Sequence, residues 1–191
     1  MSAPNQTDRQ IASQTAQLIG IARRPARRTR MEIVEHGEIR LGAGLVGDHK
    51  GDKFPARGIT VLAAEDWAAA VAEIAGIVSS GGVNHDSPQL FPVNLAPLNW
   101  TARRANLLVA GIRLPRACGA VLSIGEIRLE VTAQTYPCRR MDEVHPGLLK
   151  ALAKDWRGGV SCRVITGGNV NIGDAAGVEA SPGERIVRLP G

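Results

Sequence analysis

The sequence predicts a mainly β domain, a barrel or a sandwich, with two or three covering helices. Short apolar, β-branched runs recur along the chain, and glycines, single or paired, punctuate nearly every gap between them. Only two segments carry the three-to-four-residue apolar spacing of a helix. The chain's 191 residues and 20.2 kDa suit one domain with a sizeable core.

The elements follow in order. Met1 to Gln17, rich in Gln, Ser and Thr, reads as a mobile tail or a frayed helix, and residues 18–191 as the single domain. Strands are predicted at Leu18 to Ala22, Met31 to His36, Ile59 to Ala63, Leu107 to Ala110, Ile127 to Thr132 and Val160 to Thr166. In Ile127-Arg-Leu-Glu-Val131 apolar and polar residues alternate, the mark of a strand with one wet face. Glu65 to Ile77 reads as a helix with Trp67, Val71 and Ile74 on one face. Pro146 to Trp156 reads as a second, with Pro146 in its first turn, Leu148, Leu152 and Trp156 on one face, and Gly158-Gly159 ending it. Between them, Ser79 to Trp100 is broken by Gly81-Gly82, Pro88, Pro92 and Pro97 into a long irregular excursion. Gly167-Gly-Asn-Val-Asn-Ile-Gly-Asp174 reads as sharp turns leading to a hairpin, with anion binding by its backbone N–H groups the other use of such a stretch.

Composition excludes several classes. The longest apolar stretch, Ala105 to Ile112, falls far short of the roughly 18 residues of a membrane span. Three Trp, one Tyr and two Phe are too few for a platform that stacks single-stranded nucleic acid. The 23 Lys and Arg against 18 Asp and Glu give a net charge of +5, a mild bias toward anionic partners. The one concentrated stretch, Arg23, Arg24, Arg27, Arg28 and Arg30, reads as a solvated loop between strands or as an attractor of phosphate. Three cysteines at wide spacing argue against a disulfide framework and a structural zinc site. The polar N-terminus lacks the apolar run of a signal peptide, which points to a reducing cytoplasm. No nucleophile elbow, phosphate loop, dinucleotide fingerprint or zinc-protease motif is present, and the histidines at 36, 49, 85 and 145 are scattered.

The chemistry concentrates in Val131-Thr-Ala-Gln-Thr-Tyr-Pro-Cys-Arg-Arg140. A strand ends, Pro137 fixes φ, and the Cys138 thiol follows with Arg139 and Arg140 directly after it. Positive charge beside a thiol favours the thiolate, the form that attacks electrophiles and binds metal. The plainer alternative is a half-buried cysteine that happens to precede two surface arginines. Cys118 and Cys162, among small or strand-forming neighbours, read as core. Asp48 and His49, in Gly44-Leu-Val-Gly-Asp-His49, can bind a proton or polar ligand on a glycine turn, though Gly-Asp is also ordinary turn chemistry. Arg103-Arg104-Ala105-Asn106 offers a guanidinium fork and an amide for phosphate or carboxylate, or else side chains that fasten the start of a strand.

Taken in order, these pieces resemble the MOSC family, named after the C-terminal domain of molybdenum cofactor sulfurase. The matching segments are Gly44 to His49, Arg104-x-Asn106 leading into Leu107 to Ile112, Ile124-Gly125 with Leu129 to Thr132, Pro137-Cys138, Arg157 to Val164, and Gly167-Gly168 with Gly173-Asp174. They span about Leu18 to Val178. The resemblance implies a closed β-barrel of the pyruvate-kinase-barrel type. It implies that Cys138 ligates the molybdenum of a molybdenum–pterin cofactor, as in the amidoxime-reducing and hydroxylaminopurine-detoxifying relatives, or carries sulfur as a persulfide, as proposed for the sulfurase. Arg104, Asn106, Arg139, Arg140 and Thr132 would then bind the cofactor, the arginines neutralising the pterin phosphate, with Asp48 and His49 at the mouth of the same site. The implied reaction is two-electron reduction of small N-hydroxylated compounds. Electrons would come from a separate reductase, because no flavin or iron–sulfur motif is present. The larger amidoxime-reducing relatives carry an extra N-terminal β domain for which this chain has no room, and the excursion from Ser79 to Trp100 has no place in the family pattern.

Overall fold

The computed structural model describes residues 16–75 and 98–182. The tail reading up to residue 15, the excursion up to residue 97 and the end of the first predicted helix past residue 75 lie outside the described residues. Eleven strands and three α-helices are present among those described: β1 (Gln17–Arg23), β2 (Glu32–Val34), β3 (His36–Arg40), β4 (Gly44–Leu45), β5 (Ile59–Ala63), α1 (Ala64–Ile74), β6 (Leu107–Ala110), β7 (Val121–Ile124), β8 (Ile127–Gln134), α2 (Arg140–Val144), α3 (Leu148–Ala153), β9 (Val160–Thr166), β10 (Gly168–Asn171) and β11 (Ala176–Ala180).

The mainly β expectation holds, and the closed barrel does not. Eight strands form an open mixed sheet in the order β11-β7-β8-β9-β5-β6-β1-β2, and β10-β3-β4 form a second sheet. The reason lies in the free flank of β1. Ile21, Ala22 and Arg23 spend that flank on Val34, Ile33 and Glu32 of β2. Only its first residues remain to meet the far end of the sheet, where Gln17 and Ala175 make an isolated bridge and the Leu18 N–H donates to the Asp174 carbonyl at 2.8 Å. One bridge is not a ladder, so the sheet stays open.

Strand alternation divides the core in two. Ile59, Val61 and Ala63 of β5, Leu107 and Val109 of β6, and Leu18 and Ile21 of β1 point to the side that also buries Ile39, Leu45 and Val170 of the small sheet. Leu62, Leu108 and Ala22 point to the opposite side, against Trp67 and Val71 of α1 and Leu148 and Leu152 of α3. A strand covered on both faces loses the alternating pattern, which is why all five residues of β5 are buried. Each such leucine or isoleucine contributes about 1.5–3 kcal/mol through removal from water.

The helices keep the expected faces with altered limits. Trp67 and Val71 of α1 are buried as expected, Ala70 is buried beside them, and Ile74 is partly buried against the same core. The second predicted helix ends at Ala153 rather than Trp156, because Asp155 and Trp156 adopt positive φ of 47° and 59°. It also begins late, after Gly147 at φ 87°. Helix α2, five residues that begin two positions after Cys138, was not predicted, and it buries Met141 against the helix-side core.

Candidate functional site

Cys138 lies where the chain leaves β8 and turns into α2, and its residue is exposed. Its carbonyl accepts the Met141 N–H at 2.8 Å, so the turn into α2 begins at the cysteine itself. Arg103 fixes the approach from the other direction. Its side chain is 6% exposed, with Nε donating to the Gly158 carbonyl at 2.9 Å and Nη2 to the Thr135 carbonyl at 2.8 Å. One guanidinium therefore joins the exit of β8 to the start of β9. Burial brings its pKa down to about 10, opposed by the charge of Cys138, and it remains a cation at neutral pH.

Arg104 follows at φ 61° and ψ 32°, a left-handed conformation that turns the chain so that adjacent arginines face different ways. Arg103 goes into the core, and Arg104 lines a cleft of about 340 Å³ together with Arg28, Arg140 and Glu143. Burial lowers the Arg104 pKa, the charges of Arg140 and Arg24 add to that shift, and Cys138 and Glu143 oppose it. Arg104, Arg140 and Cys138 thus share one electrostatic neighbourhood. Arg139 is exposed and does not line the cleft.

Asn106 and Asp48 meet, and both are fully engaged. Asn106, 5% exposed, accepts the Thr60 N–H at 3.0 Å on Oδ1. Its Nδ2 donates to the Ala22 carbonyl at 3.3 Å and to Asp48 Oδ2 at 3.2 Å. Asp48 also accepts the Arg24 N–H at 2.8 Å and the Lys50 N–H at 2.9 Å. Three partners leave this carboxylate in a holding role, with β1, β5 and β6 anchoring the loop that carries it.

The loop delivers Lys50, which the sequence reading missed. Burial pushes its ammonium pKa down, Asp48 opposes that shift, and Arg57, Arg103 and Arg24 add to it. Gly51 makes the burial possible, because a Cβ there would strike the Ala43 carbonyl oxygen. That glycine is the local signal that something packs closely at this point; nothing in the sequence joins Lys50 to Arg57 and Arg103. His49 is half-buried, its N–H donating to the Arg24 carbonyl at 2.7 Å and its Nε2 lying 3.5 Å from Lys53 Nζ. The Thr132 hydroxyl has the Ala56 carbonyl at 2.6 Å and the Ser161 carbonyl at 3.0 Å, tying β8 to the Pro55–Arg57 turn and to β9. Neither His49 nor Thr132 bonds to Cys138.

Cys162 is buried as expected, its thiol pKa pushed well up by desolvation. Cys118 is exposed, against expectation. It sits in the turn before β7, where Gly119 at φ 87° carries it away from the core, and its Sγ donates to the Thr132 carbonyl at 3.2 Å.

A family model described as MOSC domain matches residues 54–176. The chain belongs to the MOSC domain family. Among solved structures, the fold is similar to that of the YuaD protein from Bacillus subtilis, at 16% identity and a TM-score of 0.59 over 85% of this chain and 94% of that one. It is also similar to YiiM from Geobacillus stearothermophilus, at 16% identity and a TM-score of 0.56 over 85% of this chain and 74% of that one. YiiM from Escherichia coli gives 16% identity and a TM-score of 0.56 over 87% and 71%. These likenesses speak to the fold alone. No curated protein matches the chain. The MOSC match begins beyond Arg24, Arg28, Asp48 and Lys50, so those residues come from the part of the chain ahead of it. No helix among the described residues is long and apolar enough to cross a membrane.

Proposed function

We propose that this MOSC chain holds a molybdenum–pterin cofactor through Cys138 and serves as a reductase of small N-hydroxylated compounds. The observation that carries the reading is an exposed Cys138 whose charge acts on Arg104, a lining residue of an arginine-rich cleft, with the exit of β8 fixed by the buried Arg103. The donor set fits such a group. A thiolate is a soft ligand suited to molybdenum, and among the described residues no three His, Cys, Asp or Glu side chains gather to hold a bare ion. A metal at Cys138 would therefore arrive with most of its ligands, as a pterin dithiolene provides. When bound, the cofactor supplies a two-electron redox centre.

The chain's own residues do the rest. Arg104 and Arg140, with Arg139 from the rim, would neutralise the pterin phosphate. Asn106 holds Asp48, Asp48 holds the loop, and His49 on that loop carries protons at the mouth of the site. Thr132 keeps β8 in place through the Ala56 and Ser161 carbonyls. In the overall reaction an N–O bond breaks, and two electrons and two protons yield the amine and water. A separate reductase supplies the electrons. The active unit is the single domain from residue 18 to 191, working in a reducing cytoplasm.

Metal and pterin analysis of protein purified from a host that makes the cofactor tests the reading. About one molybdenum per chain, lost in Cys138→Ser with the fold kept, is the expected result. The rival reading, a sulfur carrier, rests on the same exposure of Cys138. No molybdenum together with a persulfide adduct of about 32 Da on Cys138 would favour it and sink the reductase.

A further inference from the structure

The loop between β1 and β2 has its backbone fixed and its charges unpaired. At its base Arg23 and Glu32, opposite one another in the strand register, form an ion pair at 3.4 Å. Next, Arg24 is tied to the Asp48 loop, its N–H donating to Asp48 Oδ2 at 2.8 Å and its carbonyl accepting the His49 N–H at 2.7 Å. The tip is a turn closed by Thr29, whose hydroxyl donates to the Ala26 carbonyl at 2.9 Å and whose N–H reaches the same oxygen at 3.4 Å. Arg27 and Arg28 occupy the two central positions of that turn, and Arg30 follows it. All three are exposed, and among the described residues none of them pairs with a carboxylate. Elsewhere the pattern is reversed: Arg40, Arg128, Arg157 and Arg163 pair with Glu38, Glu179, Glu73 and Glu130. Three bare guanidiniums on one fixed tip make a surface for an anionic partner.

The tip borders the site. Arg28 lines the same cleft as Met141, and the Met141 N–H donates to the Cys138 carbonyl at 2.8 Å. Exposed apolar side chains accompany it. Val144 lines that cleft, and Ile33 lies opposite Ala22, hence on the helix side of the sheet, where α2 packs. Apolar area beside unpaired arginines suits a protein interface, whereas residues 24–30 offer no aromatic side chain on which a base could stack. We infer that Arg27, Arg28 and Arg30 dock the acidic face of the protein that delivers electrons to the site. The three are distinct from Arg104, Arg139 and Arg140, which the pterin phosphate would take. The partner's role as electron donor rests on the reductase reading; the docking surface rests on the loop alone. The partner loses two electrons for each N–O bond that the site breaks, and the two protons come from water.

The test is stopped-flow binding of flavodoxin, a small acidic flavoprotein used as the probe, to the purified full-length protein, followed by flavin fluorescence. Flavodoxin is expected to bind at about 20 mM salt and to associate at least about tenfold more slowly at about 0.5 M. Arg27→Gln with Arg30→Gln should slow association at low salt at least about fivefold, change dissociation by less than about twofold, and match wild type at high salt. Arg28 stays in place because it lines the cleft. The control, Arg128→Gln with Arg163→Gln, removes the same net charge from strands that β5 and β6 separate from β1, and should slow association by less than about twofold. No binding of flavodoxin at low salt, or equal slowing by the two double variants, overturns the inference. So does a short DNA duplex that binds more tightly than flavodoxin and is lost in Arg27→Gln with Arg30→Gln, because the tip would then belong to nucleic acid. If flavodoxin docks on the tip of a protein that carries no molybdenum, the docking surface stands and the reductase reading falls. If molybdenum is present and flavodoxin does not dock, the reading stands and the inference falls.

Discussion

Asn106→Asp tests the latch that positions the Lys50 loop. The change places an oxygen where Nδ2 stands, 3.2 Å from Asp48 Oδ2 and 3.3 Å from the Ala22 carbonyl, while an oxygen still accepts the Thr60 N–H. Two carboxylates at that separation repel by about 5 kcal/mol at an effective dielectric constant of about 20. The pair escapes by binding a proton, which caps the penalty. Keeping one carboxyl protonated at about pH 7, against an ordinary value of about 4, costs about 4 kcal/mol. The folded variant thus binds the extra proton more tightly than the unfolded chain, and its stability falls as pH rises from about 4 toward the raised folded value. The deficit relative to wild type should be about 4 kcal/mol at about pH 7 and about 1.4 kcal/mol at about pH 5. In melting temperature the larger deficit corresponds to about 10 °C for a chain of this size. Urea denaturation of both proteins at the two pH values measures it. A deficit under about 1 kcal/mol at about pH 7, or one that does not change with pH, would show that Asn106 and Asp48 do not depend on each other.

Two further outcomes follow from the site's surroundings. In folded protein, alkylation should label Cys138 and Cys118 and spare Cys162. The rate with anionic iodoacetate relative to neutral iodoacetamide should be higher at Cys138 than at Cys118, because the cations around Cys138 draw the anion; equal ratios by peptide mass analysis would mean that their field does not reach the sulfur. Gly159→Ala should destabilise the fold by about 2 kcal/mol or more, since Gly159 has φ 86° and a Cβ there would strike the Val61 carbonyl oxygen. A chemical denaturation midpoint unchanged from wild type would refute this.

The elements legible in the sequence were those whose pattern is local. The limits of β5, β6 and β9 match the predicted runs, because each is a short run rich in apolar and β-branched residues that begins directly after Gly58, Asn106 or Gly159. Strand β7 and helix α2 escaped notice: four residues of Val-Leu-Ser-Ile and five of Arg-Met-Asp-Glu-Val are too short to display a period. Sheet closure is a property of strand partners, and whether β1 spends its free flank on β2 or on β11 is written in no single segment. The site divides the same way. Cys138 announces itself through Pro137 and the arginines beside it. Lys50, Arg57 and Arg103 come together only because Asn106 and Asp48 fasten a loop to strands far off in sequence. The arginine-to-carbonyl clamp of Arg103 needs Thr135 and Gly158, whose backbone oxygens carry no sequence signature.

Strands β5 and β6 run parallel, with Val61, Leu62 and Ala63 opposite Leu107, Leu108 and Val109. Parallel neighbours demand a crossover, and here it comprises α1, residues 75–99 and the turn Trp100–Arg103. The register is set by the strands and the return by Arg103 and Asn106, so the parallel pair is held by contacts of its own ends rather than by the chain that joins them.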